Sequence, residues 1–119
     1  MNNVIENKSF DFAVRITKLY YYLCHDKNEH IISKQLMRSG TSIGANIAES
    51  QQAQSRPDFV SKMNIALKET SETKYWIKLL QATNYLSQEE TSSILSDCVE
   101  LEKLLISIIK TSKQENQSM

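Results

Sequence analysis

The stretch QLMRSGTSIGANIAES, from Gln35 to Ser50, decides the fold of this chain of 119 residues. Side chains three and four positions apart share one face of a helix, and that spacing gathers small and aliphatic residues on one stripe. These residues are Ile32, Leu36, Ser39, Ile43, Ile47 and Ser50. The residues of a polar stripe beside it are Arg38, Ser42, Ala45, Asn46 and Glu49. The stretch therefore predicts a buried helix with polar groups along the edge of its apolar face.

Two glycines, Gly40 and Gly44, lie four positions apart inside this predicted helix. Each costs about 1 kcal/mol in a helix relative to alanine. Close approach of a neighbouring helix is the usual compensation for that cost. We therefore expect Gly40, Ala45 and Ala48 to form a contact surface for another helix.

The composition indicates one small, mainly helical domain. The chain has only two glycines and one proline, and its 14 basic and 14 acidic residues give a formal net charge of zero. A neutral balance argues against a protein that holds nucleic acid mainly by neutralising phosphates. The longest apolar runs are far shorter than the ~20 residues that span a bilayer, so no membrane partner is predicted.

The spacing of the cysteines and the first ten residues indicate the cellular compartment of the protein. Cys24 and Cys98 are far apart, and MNNVIENKSF lacks the apolar core of a secretory signal. Disulfide frameworks belong to oxidising compartments. The predicted location is therefore the reducing cytoplasm.

Apolar residues recur at helical spacing along the chain, and short connections between helices require antiparallel neighbours. The sequence therefore predicts an all-α, up-down antiparallel four-helix bundle. Helix 1 is expected to begin at Ser9, and helix 2 to run from residue 29 or 30 to Ala53. Pro57 suits the first turn of helix 3. Ser87 and Glu90 form a capping box at the start of helix 4. We predict a flexible segment over residues 1–8, a single bundle domain over 9–110, and a disordered tail over 111–119.

A polar network is predicted between helices 2 and 3. A partly buried charge without a partner costs several kcal/mol, so we expect Arg38 to pair with Glu69 or Glu72, with Asn46 and Glu49 joining by hydrogen bonds. The predicted members are Arg38, Ser42, Asn46, Glu49, Glu69 and Glu72. Replacing Arg38 by alanine should then be more disruptive than replacing Lys62, which we expect to lie on the surface.

The apolar arc of helix 4 is wider than a four-helix core needs. Val99, Leu104 and Ile106 fall outside its bundle-facing residues. Exposed apolar patches on soluble proteins usually mark partner surfaces. Together with Tyr21 from the tyrosine triplet in helix 1, these residues are the predicted contacts of a homo-oligomer.

Enzymatic chemistry is not indicated. Ser39, Thr41 and Ser42 are hydroxyls, but nothing in the sequence brings either histidine to them. The spacing of Cys24, His25 and His30 matches no zinc pattern. A carboxylate cluster of Glu49, Glu69 and Glu72 could bind Mg²⁺, but the nearby Arg38 favours an ion-pair network instead. The sequence therefore predicts no enzyme, cofactor, bound metal or small-molecule substrate.

Two functional classes remain open. The first is a noncatalytic oligomeric scaffold or adaptor, favoured by the neutral charge and the wide apolar arc. The alternative is an RNA-binding module that uses a basic patch on helix 3. The lysines of that patch are Lys62, Lys68, Lys74 and Lys78.

The runs RSGTSIGANIAES and IALKETSETKYWIKLL resemble a small bacterial family, the four helix bundle or 23S rRNA intervening sequence proteins. The resemblance spans roughly residues 10–105. Its most specific residues are Arg38, Ser42, Asn46, Ile47, Ala48, Glu49, Ala66, Glu72 and Tyr75. Many members carry Gly-Ser in place of Lys68-Glu69 and a glycine in place of Ser50, which indicates a subgroup.

The resemblance implies an up-down four-helix bundle, a ring-shaped homo-oligomer such as a pentamer, and no established catalytic activity. Some members are encoded in insertions within large-subunit rRNA genes. A related branch, the accessory variability proteins of diversity-generating retroelements, is strongly basic and binds RNA with a reverse transcriptase. The association of the family with rRNA genes is the second ground for the RNA-binding alternative, in which RNA or a nucleic-acid-associated protein is the partner.

Overall fold

Four long helices make up the fold of the computed structural model, which describes residues 3–118 and the side chains of residues 4–114. The helices are α1 (Asn3–His25), α2 (Ile32–Ser50), α3 (Arg56–Ala82) and α4 (Gln88–Ser118). Short links make successive helices antiparallel, and the rod measures 53 × 22 × 20 Å. The predicted all-α, up-down four-helix bundle is confirmed. Within residues 3–118, no helix is long and apolar enough to cross a membrane.

All four helices contribute to one continuous apolar core. Its largest fully buried aliphatic side chains are Ile5, Ile16, Leu23, Leu36, Ile43, Ile47, Met63, Ile77, Leu80, Leu101 and Leu105. Each helix packs most extensively on its neighbour in the chain, whereas the α1–α4 edge is sparser. Ion pairs reinforce that edge, with Lys8 Nζ 3.1 Å from Glu100 Oε2 and Arg15 Nη1 2.7 Å from Asp97 Oδ2.

The two glycines of α2 lie where α1 approaches most closely. A Cβ added to Gly40 would lie 2.9 Å from Cγ1 and Cγ2 of Ile16, and one on Gly44 would lie 3.2 Å from the backbone oxygen of Ser9. The prediction that Gly40 contacts a neighbouring helix is confirmed. Ala45 and Ala48 are exposed and line a cleft between α1 and α2 instead of being buried against the neighbouring helix.

The predicted N-terminal boundary is wrong. Helix α1 begins at Asn3 instead of Ser9. Ile5 is fully buried and Ser9 is 1% exposed, so side chains that face the core already occur about one turn before Ser9. Ser9 is therefore an internal residue, and its Oγ donates to the backbone oxygen of Glu6 at 3.1 Å. Residues 1 and 2 of the predicted flexible segment lie outside the described residues.

The C-terminal boundary also differs from the expectation. Helix α4 continues to Ser118, although we expected a disordered tail from residue 111. Ile109 and Ser112 are both 7% exposed, so the inward face of the helix still packs on the bundle past the expected end. Met119 lies outside the described residues.

Two helix starts agree with the sequence. Ser55 caps α3, accepting a hydrogen bond from the backbone nitrogen of Asp58, and Pro57 lies in the first turn. At α4, the Ser87 nitrogen donates to Glu90 Oε1 at 2.8 Å, while the Glu90 nitrogen donates to Ser87 Oγ at 3.0 Å. The predicted capping box is confirmed. These hydrogen bonds keep the pKa of Glu90 below its usual range.

Candidate functional site

An ion-pair cluster joins α2 to α3. The Arg38 guanidinium contacts Glu72 Oε2, and its Nη1 lies 3.6 Å from Glu69 Oε1. Its Nε donates to Gln35 Oε1 at 3.4 Å. The structure thus places Arg38 between both predicted acidic partners. The side chains differ in exposure, at 49% for Arg38 and 19% for Glu69.

Glu69 and Glu72 meet the cation in different ways. Glu69 Oε1 is buried and accepts no hydrogen bond among the described residues, so the nearby Arg38 charge is its main stabilisation. Glu72 is more exposed and also accepts a hydrogen bond from Trp76 Nε1 at 3.0 Å. Trp76 was not expected to take part. Removing Arg38 would therefore affect Glu69 more than Glu72.

Two predicted members of the network do not join it. Asn46 Nδ2 donates to the backbone oxygen of Ser42 at 2.9 Å, and Ser42 Oγ donates to the backbone oxygen of Arg38 at 2.6 Å. Short polar side chains can satisfy themselves on the carbonyl four residues earlier in the same helix. The expectation that Asn46 links to the ion pairs is therefore wrong.

Glu49 forms a separate pair. It accepts from Lys62 Nζ at 3.0 Å, and this hydrogen bond raises the pKa of Lys62. The expectation that Glu49 joins Arg38 is wrong, because Lys62 on α3 reaches Glu49 more than two turns further along α2. Lys62 is also not the free surface residue that the sequence suggested.

Buried hydroxyls make a second contact between α2 and α3. Thr73 Oγ1 donates to Ser39 Oγ at 3.0 Å, and both residues are fully buried. The sequence placed Ser39 on the apolar stripe, but it did not identify Thr73 as its partner, because the pairing depends on how α2 and α3 are aligned along their axes.

Between α3 and α4, Lys74 Nζ lies 2.9 and 2.8 Å from the two carboxylate oxygens of Glu102. Cys98 lies four residues before Glu102 on α4, and its Sγ is 3.5 Å from the backbone oxygen of Thr70. Burial raises the pKa of the Cys98 thiol to about 12. The thiol is therefore protonated at neutral pH.

The four lysines of the predicted nucleic-acid patch do not form one surface. Lys62 points toward Glu49 on α2, and Lys74 points toward Glu102 on α4. Only Lys68 and Lys78 are exposed. Their separation by ten residues places them in directions about 80° apart around the helix. The expectation of a continuous basic patch on helix 3 is therefore wrong.

Glu29 has a structural role that the sequence did not reveal. Its carboxylate accepts hydrogen bonds from the backbone nitrogens of Ile31, Ile32 and Ser33 at 3.1, 2.9 and 2.6 Å. It thereby caps α2, which begins at Ile32, later than expected. Burial acts to raise the pKa of Glu29, but the backbone donors outweigh it and leave the pKa below 4.5.

We expect Glu29→Ala to lower the free energy of unfolding by about 1–2 kcal/mol at pH 7, because the first turn of α2 loses its cap. The folded-state pKa is lowered, so this stabilisation is complete above the unfolded pKa near 4.5 and is lost as the pH falls below it. Urea unfolding of both proteins from pH 7 to pH 3 measures the difference. Glu89→Ala, at an exposed glutamate, is the control. A constant difference at all pH values would contradict this role.

The predicted oligomer contacts lie on different parts of the rod. Ile106 is 50% exposed and Tyr21 is 55% exposed, whereas Val99 and Leu104 are half-buried and Leu104 packs against the core. The Lys8–Glu100 and Arg15–Asp97 pairs fix the antiparallel register of α1 and α4. That register places Tyr21 and Ile106 toward opposite ends, so they cannot belong to one compact patch.

A second apolar surface lies on α1, and Tyr21 is the one residue of it that the sequence singled out. Phe10, Val14 and Tyr21 are exposed on the side of α1 that faces away from the core, and Phe10 is 68% exposed. Phe10 also borders a cleft of about 400 Å³ between α1 and α2, which Ala45 and Ala48 line on the other side. We call this surface the α1 face.

The serine, threonine and glutamate side chains that were candidates for catalysis or metal binding make other contacts in the structure. No group of three His, Cys, Asp or Glu side chains there converges on a metal position, because Glu49 pairs apart from Glu69 and Glu72. Thr41 Oγ1 donates to the backbone oxygen of Met37 at 2.7 Å. The hydroxyls of Ser39 and Ser42 likewise donate to carbonyls of their own helix. No base lies beside them among the hydrogen bonds of residues 4–114.

Fold and site together define a small up-down helical bundle with an ion-paired α2–α3 seam and apolar outer faces. The sequence model of the 23S rRNA-intervening sequence proteins matches residues 1–107. The chain belongs to this family.

A solved structure supports the same conclusion. The chain is similar to a Bacteroides thetaiotaomicron VPI-5482 protein of unknown function, described as a member of the S23 ribosomal protein family. The two share 57% identity with a TM-score of 0.89, covering 90% of this chain and 99% of the other. No curated protein matches the chain.

Proposed function

We propose that this protein is a noncatalytic scaffold or adaptor that works as a homo-oligomer in the cytoplasm. The observation that carries the proposal is the presence of two apolar surfaces on one small rod. They are the α1 face and an α4 face on which Ile106 is exposed and Val99 beside it is half-buried. Exposed apolar area of this kind is covered by a partner in most soluble proteins. Both described cysteines are free, which supports a reducing compartment.

Two different surfaces favour a head-to-tail assembly. A twofold dimer uses the same patch on both copies, whereas a heterologous interface joins one patch to a different one and closes into a ring. In this proposal the α1 face of one copy packs on the α4 face of the next. A ring of five copies, as the family resemblance implies, is the expected form.

Light scattering after size-exclusion chromatography tests the assembly. We expect the wild-type mass to be a multiple of 13.7 kDa, and Phe10→Asp and Ile106→Asp each to yield protomers, since a buried unpaired carboxylate opposes association. Gln88→Asp is the control, because this exposed position at the start of α4 tolerates an acid.

Mixing the two variants tests the head-to-tail arrangement. Each retains one intact face, so equal amounts of Phe10→Asp and Ile106→Asp should form a two-chain complex that neither forms alone. A wild-type protein that stays a single protomer at high concentration would contradict the oligomer. Dimers of Ile106→Asp alone would contradict the head-to-tail interface.

RNA binding is the alternative proposal. It now rests on Lys68 and Lys78, because Lys62 and Lys74 are engaged in ion pairs. Two free lysines would neutralise few phosphates, and affinity from phosphate contacts falls steeply with salt. Retention of RNA that persists at low salt and disappears as salt rises would favour this alternative over the scaffold.

A further inference from the structure

A cleft of about 520 Å³ opens beside the start of α3, where the last turns of α4 pass it. Its apolar wall consists of Pro57, Val60 and Ile65, and Ile65 is 38% exposed. The cleft is within the size range of sites that hold a ligand or an anchoring side chain. It lies away from the Arg38 cluster and has no role in the ion pairs described above.

Two exposed cations, Lys68 and Lys113, line the cleft. Arg56 also borders it, and no carboxylate does so among the residues whose side chains the structure describes. Lys68 and Lys113 are both exposed, and neither forms an ion pair among the described residues. This local positive charge contrasts with the zero net charge of the whole chain. The cleft therefore complements a ligand that is acidic at its ends and apolar between them.

We propose that this cleft binds an acidic peptide segment of a partner protein, with an apolar side chain against Ile65 and carboxylates beside Lys68 and Lys113. The inference rests on the adaptor role proposed above and names the chemistry of its partner. Apolar anchors in pockets supply much of the affinity of such interfaces. Charges at the rim supply steering and specificity.

A peptide fits these features better than RNA does. No aromatic side chain lines the cleft within residues 4–114, so bases would have no surface there for the stacking on which single-strand binding depends. The wall beside the cations is aliphatic, and leucine-like side chains complement it. The cleft opens to solvent along Pro57, Ser61 and Asn64 on the outside of α3, so an extended segment can enter it.

Fluorescence anisotropy provides the test, with a short fluorescein-labelled peptide in which leucines are spaced among glutamates. We expect binding that weakens as salt rises. The double variant Lys68→Glu, Lys113→Glu should lose about tenfold or more in affinity, because two exposed ion pairs become repulsive. The same variant should gain binding to a peptide with lysines in place of the glutamates.

The control is the double variant Lys18→Glu, Lys34→Glu, which makes the same change in net charge at exposed positions on α1 and α2. It should retain the acidic peptide. Equal losses in both double variants would overturn the proposal, as would no binding by the wild type. Tighter binding of single-stranded oligouridylate through Lys68 and Lys113 would also overturn it, in favour of nucleic acid.

Light scattering of the same samples separates this proposal from the oligomer. The Lys68→Glu, Lys113→Glu variant should keep the wild-type mass while losing the acidic peptide. Circular dichroism should show wild-type helicity, because both lysines are exposed. If the mass is that of one protomer but the peptide still binds at the cleft, the oligomer fails and the cleft stands.

Discussion

Gly40→Val is expected to lower the free energy of unfolding by about 2–3 kcal/mol, although valine is a better helix former than glycine. The first added carbon alone would lie 2.9 Å from two carbons of Ile16, and Ile16 is fully buried. A β-branched side chain in a packed core has few other rotamers to adopt. Helix α1 would have to move away from α2. Thermal and urea unfolding followed by circular dichroism measures the loss.

A double-mutant cycle identifies the contact responsible. Ile16→Ala opens space opposite Gly40, so Gly40→Val should cost clearly less in that background than in the wild type. Ser71→Ala, at an exposed position on α3, controls for a change of helix propensity and should stay within about 0.5 kcal/mol of the wild type. Strict additivity of the two core changes would show that Ile16 does not limit the approach of α1.

Arg38→Ala is expected to cost about 1–3 kcal/mol, because Glu69 would keep a buried carboxylate oxygen without a cation. Most of the lost stability comes from the unpaired carboxylate of Glu69, since the half-exposed Arg38 is itself screened by solvent. Glu69→Gln in the Arg38→Ala protein should recover part of the loss, because it removes the unpaired charge. Urea unfolding of the three proteins measures both steps.

Lys34→Ala is the matched control for Arg38→Ala. Lys34 is an exposed cation on the same helix, with no ion pair among the described residues. Lys62→Ala, the comparison that the sequence suggested, is unsuitable because it breaks the pair with Glu49. Equal stability of the Arg38→Ala and Lys34→Ala proteins would show that the α2–α3 cluster contributes nothing to the fold.

The fold was predictable because its signals are local. The apolar period of each helix, the proline at the start of α3 and the Ser87–Glu90 box depend on residues a few positions apart. The same locality explains the hydrogen-bond partners of Asn46 and Ser42, for which the prediction was wrong. Helix geometry offers each of them a carbonyl four residues earlier, and that option competes with any partner on another helix.

Contacts between helices were predictable only where a charged side chain had few oppositely charged partners within reach. Arg38 had two acidic candidates on the facing helix, and it contacts both. Glu49 had several cations within reach, and the relative shift of α2 and α3 along their axes, which the sequence does not encode in any short pattern, selects Lys62. Glu29 was missed for a related reason. It caps α2 from the connecting segment, two residues before the formal cap position.

The environments of the two cysteines suit the protein to labelling experiments. Cys98 is inaccessible and holds its proton, whereas Cys24 near the end of α1 is partly open to solvent, with its Sγ 3.7 Å from Ser33 Oγ. A maleimide dye added under native conditions should therefore attach at one known place on each chain. The natural sequence thus supplies a reporter position for distance and exchange measurements between copies, without any engineered residue.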